Sequence, residues 1–262
     1  MIKMEKIPDG KQWAEVIAQY ISRGMRTNFY ASAEEFLPEI EKISKIEFDG
    51  GCYFFHEKEN QVDFYFFLEK EAKPVEIPIM DKPVILEQVA LAKNPPDLGE
   101  WEAVGFEKYL QRKRLFLSAK KTEAEQRDVC FAKSEEAIEI LHYMQEVFEP
   151  YTSALSDLET LKQDLAENRV IAFREGENLL GFLRFGREKK VSVLWQIVVS
   201  PEGRGKGIGN SLVRDWISLE REEVAKFQLW VREDNPPALR MYEALGFLPD
   251  GRVAPVMMKK VE

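Results

Sequence analysis

Val198-Val199-Ser200-Pro201-Glu202-Gly203-Arg204-Gly205-Lys206-Gly207-Ile208-Gly209 joins an apolar run to an amphipathic one, with four glycines in its last seven residues. Glycine accepts positive φ and lets the backbone approach a ligand, so successive N–H groups can converge on one concavity. A helix that follows adds its own N-terminal N–H groups and about half a positive charge. Such a place suits a diphosphate. The P-loop pattern fails because Lys206 is followed by Gly207, not Ser or Thr. The dinucleotide pattern G-x-G-x-x-G fails in each frame, because Ile208 and Asn210 stand where the third glycine belongs. A glycine-rich turn without a ligand is the bland alternative.

Outward from this loop the chain alternates strand and helix signals. Upstream, Val191–Val199 is a long apolar strand, preceded by strands at Arg169–Arg174 and Leu179–Gly186 around the turn Glu175-Gly176-Glu177-Asn178. Helical spacing marks Ser134–Glu149 and Ser156–Asn168, and Cys130–Ala132 reads as a short strand. Downstream, Asn210–Glu223 places Leu212, Val213, Trp216 and Ile217 on one face of a helix. Phe227–Val231 alternates as a strand, Pro236–Leu245 is a helix stopped by Gly246, and Val253–Met258 is a last strand. This is a mixed α/β pattern built on a mixed sheet.

The first half reads as helices at Lys11–Gly24 and Ser32–Ile43, a hairpin of Cys52–Phe55 and Val62–Leu68, and a strand at Val84–Ala90. The polar stretch Lys120–Asp128 predicts a domain boundary, giving residues 1–125 and 126–262. An internal repeat links the halves. Asn94–Phe106 aligns without a gap on Asn235–Phe247, with eight of thirteen positions identical: Asn, Pro, Pro, Leu, Glu, Ala, Gly, Phe. Helix capping explains Asn, Pro and Gly, but not the Glu-Ala pair or the final Phe. Duplication accounts for all eight, with the first half the diverged copy.

Val199-x-Pro201-x-x-Arg204-Gly205-x-Gly207-Ile208-Gly209 resembles motif A of the GNAT superfamily of N-acetyltransferases. Asn235, Ala238 and Tyr242-Glu243-Ala244-Leu245-Gly246-Phe247 resemble its motif B, and the two stand in the family's order. The likeness covers about Gln126–Glu262; the first half shares only its Asn94–Phe106 copy. The resemblance implies two tandem GNAT-like domains, the N-terminal one degenerate, and acetyl-CoA as cosubstrate. It implies that Ile197, Val198 and Val199 meet the pantetheine arm in a gap between two splayed strands. Amides of Arg204, Gly205, Lys206, Gly207, Ile208 and Gly209 would hold the diphosphate, with Asn235 and Ala238 beside the pantetheine.

The implied reaction is direct attack of a neutral amine, of a small molecule or a peptide, on the thioester carbonyl. Its needs are an unprotonated amine, an oxyanion donor and a proton for the leaving thiolate. The backbone N–H of Val199 is the expected oxyanion donor, and Tyr242 the expected acid, a phenol of ordinary pKa about 10. Many family members carry Glu on the strand before motif A, but Leu194-Trp195-Gln196-Ile197 offers no carboxylate there. Proton removal then falls to water or to a residue such as Glu149, and Gln196 is expected to bind substrate or water. Phe148 and Tyr151 are candidates for the acceptor pocket, Phe148 equally for the core. Trp101 stands at the position of Tyr242 in the first copy, and Asp63–Glu69 contains no glycine, so that half is expected not to bind coenzyme A. A CoA-binding sensor without turnover, or an enzyme for another acyl group, are the alternatives.

Bulk properties bound these expectations. A formal charge of −9 argues against a nucleic-acid surface and is compatible with a cationic small substrate. No apolar run approaches the roughly 18–20 residues of a membrane span, and the N-terminal residues lack a secretory h-region. Two cysteines, Cys52 and Cys130, and two histidines, His56 and His142, show no metal-ligand spacing. The expectation is a cytoplasmic, metal-free protein, monomer or homodimer.

Overall fold

The computed structural model describes residues 4–122, 125–153 and 155–261. In chain order its strands and helices are β1 (Glu5–Lys6), α1 (Gly10–Ser22), β2 (Arg26–Thr27), β3 (Ile43–Phe48), β4 (Gly51–Glu57), β5 (Val62–Leu68), β6 (Val84–Glu87), β7 (Ala90–Leu91), α2 (Gly99–Glu102) and β8 (Glu107–Ser118). They continue as α3 (Ala137–Val147), α4 (Leu158–Ala166), β9 (Val170–Glu175), β10 (Asn178–Glu188), β11 (Val191–Val199), α5 (Ile208–Glu220), β12 (Lys226–Arg232), α6 (Pro236–Ala244) and β13 (Leu248–Lys259). Two compact units result: Met1–Gln111 with Val253–Glu262, and Arg112–Arg252. Lys120–Asp128, the expected boundary, falls inside the second unit.

In the second unit β9, β10, β11, β12 and the Arg112–Ser118 part of β8 lie side by side. All neighbours are antiparallel except β11 and β12, which are parallel. Side-chain alternation supplies a core on each face. Leu183, Leu194 and Leu229 pack with Leu212, Val213, Trp216 and Ile217 of α5 and Tyr242 of α6. Phe182 and Val198 pack on the other face with Ile140 and Met144 of α3 and Leu161 and Leu165 of α4. Trp216 is fully buried; its indole N–H donates to Ser192 Oγ at 2.9 Å, and its ring meets Phe227 edge-on at 4.9 Å.

The first unit repeats the sheet sense: β3, β4 and β5 antiparallel, β5 and β6 parallel, then β13 antiparallel to β6. Phe54 and Phe67 face α1, packing with Trp13, Ile17 and Tyr20, while Phe64 and Phe66 face Trp101 and Phe106. The expected helix over Ser32–Ile43 is instead a run of 3-10 turns, Ala33–Lys42, interrupted by non-helical Glu39 just after Pro38. Proline lacks the N–H and its ring clashes with the preceding turn, which accounts for the break. Cys130–Ala132 is reduced to one bridge, Phe131 with Ile171.

The repeat has a structural counterpart. Gly105 and Gly246 have φ of +90° and +88°, and Phe106 N and Phe247 N donate to Trp101 O and Tyr242 O at 3.1 and 3.0 Å. In each copy the two rings meet edge-on, Trp101 with Phe106 at 5.8 Å and Tyr242 with Phe247 at 5.7 Å. The helices differ in length. Asn235 caps α6 by accepting from Ala238 N, whereas α2 is one turn that begins five residues after Asn94. In each unit the closing strand follows the other copy's terminal helix: β8 comes after α2, and β13 after α6.

Two stability outcomes follow. Leu115 and Leu117 of β8 are buried in the second unit's core, and β8 pairs with β12 from Arg112 to Ser118. A chain beginning at Gln126 therefore exposes β12 and loses both leucines, and calorimetry should show no cooperative transition where the intact chain has one. Asn28, 5% exposed, donates to Phe64 O and Glu87 O and accepts from Phe66 N. Asn28→Ala leaves those groups unmet, at about 1–3 kcal/mol for each left dry, so urea unfolding should show a loss of several kcal/mol.

Candidate functional site

The site begins with two strands that part. β11 and β12 pair from Val191–Lys226 to Leu194–Leu229 and no further. Beyond that point β11 stays with β10 and β12 stays with β8. Ser200 N donates to Leu180 O at 2.9 Å, which sets the phase of the β10–β11 ladder. Alternate residues of an antiparallel strand send their N–H groups to the same side. Val198 thus faces Phe182 on β10, while Val199 and Ile197 turn their N–H groups toward the space β12 has left. Val198, expected to offer backbone groups to a ligand, is committed to the sheet.

β10 and β11 slip register between Arg184 and Phe185, so Trp195 is a bulged residue with no partner across the ladder. A Cβ at Gly186 would lie 2.0 Å from the Trp195 ring, so glycine is what lets the indole lie against β10. The Arg184 guanidinium sits 4.6 Å from that ring's centroid. A cavity of about 460 Å³ fills the gap, lined by Leu194, Trp195 and Ile197 of β11 and by Trp230, Val231 and Arg232 of β12. Arg112, Phe148, Glu149, Thr152, Ser153, Asp234, Asn235, Ala238 and Tyr242 are also in its wall. Tyr151 is not among the lining residues. A larger cavity of about 570 Å³, bordered by Arg127, Arg214, Arg221 and Leu245, shares no residue with the gap or the glycine loop.

The glycine loop leads from β11 into α5. Ser200 Oγ caps the first turn by accepting from Gly203 N, and a Cβ at Gly203 would meet Leu180 O at 2.9 Å. Gly205 and Gly207 have φ of +75° and +77°, where other residues are strained. Arg204 N and Lys206 N donate inside the loop, to Pro201 O and Gly203 O at 3.3 Å. Among the described residues no acceptor meets the amides of Gly205, Gly207, Ile208, Gly209 or Asn210. Of the six expected cradle amides, then, four are open and those of Arg204 and Lys206 are used. The Lys206 side chain pairs with Glu175 at 3.1 Å, on the surface. Gly209 permits close contact with α6, since a Cβ there would sit 2.9 Å from Met241 Sδ.

Tyr242 is 3% exposed and borders the cavity. Burial alone pushes its phenol well above the ordinary value, so it stays protonated. Burial pushes the Glu149 carboxyl up. Hydrogen bonds from the Thr152 hydroxyl, the Tyr151 and Thr152 amides and the Ser153 hydroxyl outweigh it and hold the group below its ordinary value. Gln196, expected to bind substrate or water, is 1% exposed and hydrogen-bonded within the protein. Its Oε1 accepts from Arg184 Nη1 at 2.9 Å and its Nε2 donates to Ser153 O at 2.7 Å. Arg184 in turn pairs with Asp164 at 2.5 Å, both side chains about 5% exposed. This relay from α4 through β10 and β11 tethers the 149–153 segment that walls the cavity. Only the pairing of Gln with a buried Arg could have signalled it from sequence.

In the first unit the corresponding gap is closed. β5 and β6 pair in parallel only at Val62–Val84 and Asp63–Ile85. β2 then pairs with Phe67 and Leu68, and the Asn28 amide takes backbone groups of Phe64, Phe66 and Glu87. Trp101 is fully buried, and among the described residues its indole N–H has no partner.

Residues 137–247 match the family described as Acetyltransferase (GNAT) family. Over 113 residues, 40% of this chain, the sequence is 31% identical to spermidine N(1)-acetyltransferase of Vibrio cholerae, covering 65% of that protein. Over 93 residues, 33% of this chain, it is 33% identical to mycothiol acetyltransferase of Brachybacterium faecium, covering 28% of that protein. The chain thus spans less than two thirds of the length of either relative. A GCN5-related N-acetyltransferase from Sphaerobacter thermophilus superposes with a TM-score of 0.66 at 15% identity, over 100% of this chain and 96% of that one. A tandem GNAT protein from the clavulanic acid biosynthesis pathway gives 0.58 at 12% identity, over 100% and 99%. At such identities these two speak for the fold: two tandem GNAT-like domains, of which the C-terminal one carries the family match.

Gln196→Met keeps the side chain's bulk and removes its hydrogen bonds to Arg184 and Ser153. Amide exchange in 149–153 should quicken roughly tenfold, the scale of one net hydrogen bond, with 203–209 unchanged by mass spectrometry. Equal protection in variant and parent would show that the tether does not hold the wall.

Proposed function

We propose, with residues 137–247 as a GNAT acetyltransferase domain, that this chain moves an acetyl group from acetyl-CoA to a primary amine of a small molecule or peptide. The observation that carries this is the continuity of the open amides at the start of α5 with the unpaired edge of β11. Coenzyme A supplies the activated thioester carbonyl and a thiolate leaving group. The amides of Gly205, Gly207, Ile208 and Gly209, at the positive end of a 13-residue helix, suit its diphosphate. The N–H groups of Ile197 and Val199 face the gap and suit the pantetheine arm, with Val199 as oxyanion donor. Asn235 fixes the start of α6 through Ala238 N, and so the direction of Tyr242.

Tyr242 donates a proton to the departing sulfur. The burial that keeps its phenol protonated also makes a free phenolate costly, so its proton moves with C–S cleavage rather than ahead of it. The first unit, with its gap filled and Trp101 in place of the tyrosine, takes a structural part.

Titration calorimetry should show acetyl-CoA binding, and thiol release should require an amine. Tyr242→Phe should lower kcat by about 10²–10⁴-fold while the Kd for acetyl-CoA is nearly unchanged; full turnover in this variant removes the acid assignment. Because its pKa is raised, Tyr242 adds no falling limb to kcat below about pH 10. Gly207→Glu, strained at φ +77° and negative beside the diphosphate, should abolish binding. Binding without thiol release from any amine would point to a sensor.

A further inference from the structure

We infer that the cleft selects amines of low basicity, such as the α-amine of a peptide or amino-acid amide, over strongly basic alkylamines. The inference rests on the transferase reading above. Among the described residues, the ionisable side chains that line the cavity come from four parts of the second unit.

From β8, Arg112 donates to Thr152 O at 2.8 Å and lies 5.7 Å from the centre of the Trp230 ring. From the segment after α3, Glu149 Oε1 accepts from Thr152 N, Thr152 Oγ and Ser153 Oγ, and its Oε2 from Tyr151 N. At the end of β12, Arg232 grips Asp234 with two nitrogens at 2.8 and 2.6 Å. From α6 comes Tyr242, protonated throughout. Behind β11, Gln196 is neutral and spent on Arg184 and Ser153, and Arg184 is paired with Asp164. Both carboxylates that border the cavity are thus engaged, and both are held below the ordinary carboxylate range, Glu149 by the bonds just named and Asp234 chiefly by Arg232. A carboxylate so stabilised is a poor acceptor for an ammonium proton. Among the described residues no histidine or cysteine lines the cavity.

The acceptor therefore has to lose its proton to water before it attacks. The walls reinforce this, because Trp195, Trp230, Phe148 and Leu194 present apolar surface that disfavours a charged ammonium. At pH 7 an α-amine of pKa about 7.7–8.0 is neutral in about one molecule in eight, against about one in 2,500 for an alkylamine near 10.4. That is a difference of roughly 300-fold in attacking species. The step balances as follows. The ammonium gives one proton to water; the C–N bond forms as the C–S bond breaks. Sulfur takes the Tyr242 proton, and the second amine proton restores the phenol. One ammonium and one thioester yield one amide, one thiol and one released proton.

The test is thiol release by the full-length chain at saturating acetyl-CoA, with glycinamide, a short peptide, butylamine and spermidine, from about pH 6 to pH 10. At pH 7, kcat/KM for glycinamide and the peptide should exceed that for the two alkylamines several-fold, by less than the roughly 300-fold free-base ratio because the more basic amine is also the better nucleophile. The logarithm of kcat/KM should rise one unit per pH unit, levelling off at roughly pH 8 for glycinamide and the peptide and still rising at about pH 10 for butylamine, so that the break moves with the acceptor. A break at one fixed pH for all acceptors would reveal a base on the protein and overturn the inference, as would preference for spermidine at pH 7. Acetyl-CoA binding with no thiol release from any amine is a different failure: it removes the transferase reading itself, and this inference with it.

Discussion

A backbone N–H in a protein interior must find an acceptor, and the parting of β11 from β12 after Leu194 and Leu229 leaves several without one. The ladder phase sends Ile197 and Val199 into that space, and the start of α5 adds the amides of Gly205, Gly207, Ile208, Gly209 and Asn210. These groups form one unsatisfied edge, from the glycine loop down to the level of Trp195. An edge of this kind is stable only where water or a ligand reaches it, and the cavity meets it at Ile197. The first unit shows the other solution. There the strands part after Asp63 and Ile85, and Asn28 supplies donor and acceptor to both sides. One carboxamide does for the first copy what we propose acetyl-CoA does for the second.

The second unit holds its open edge steady by a buried polar relay. Removing an Arg–Asp pair from water is expensive, and such pairs rarely add stability over apolar packing. What Asp164, Arg184 and Gln196 do is fix geometry: Arg184 is held from α4, braces the bulged Trp195, and orients Gln196 toward Ser153 O. Each donor is directional, so the 149–153 segment has one position and not several. A glutamate at 196 could accept from Arg184 but could not donate to Ser153 O. The absence of a carboxylate from this strand is thus a requirement of the wall as well as a feature of the chemistry.

Much of this was legible in the chain, and what was not has a common cause. β11 has the bounds its apolar run predicts, and the four glycines do mark a loop at a helix start, because these signals are local. β8 is not marked by any local signal: Glu107–Ser118 carries four Lys and Arg residues, and only Leu115 and Leu117 are buried. Its pairing with β12 is set across more than a hundred residues of chain. Asn28 lies 36 residues from Phe64 and 59 from Glu87, and nothing in its own neighbours announces a plug. Gln196 looked like a ligand-binding residue because its partners, Arg184 and Ser153, are 12 and 43 residues away. Long-range polar satisfaction is what periodicity and motif cannot report.

The aligned segments show which part of a site outlasts its chemistry. Gly105 and Gly246 take the same left-handed turn, and the ring five residues before each Phe meets it edge-on in both copies. That geometry needs the backbone cap and two aromatic rings; it does not need a hydroxyl. Trp101 satisfies it, and packs against Phe64 and Phe66 with its indole N–H buried and unmet among the described residues. Leaving a donor dry costs about 1–3 kcal/mol, a cost a phenylalanine would avoid, so the bulk of the indole must offset it through contacts with its neighbours. Tyr242 keeps the same ring position beside an open gap, where the residue borders the cavity and not only a closed core. The two copies therefore differ less in backbone than in whether the space beside that ring is filled from within.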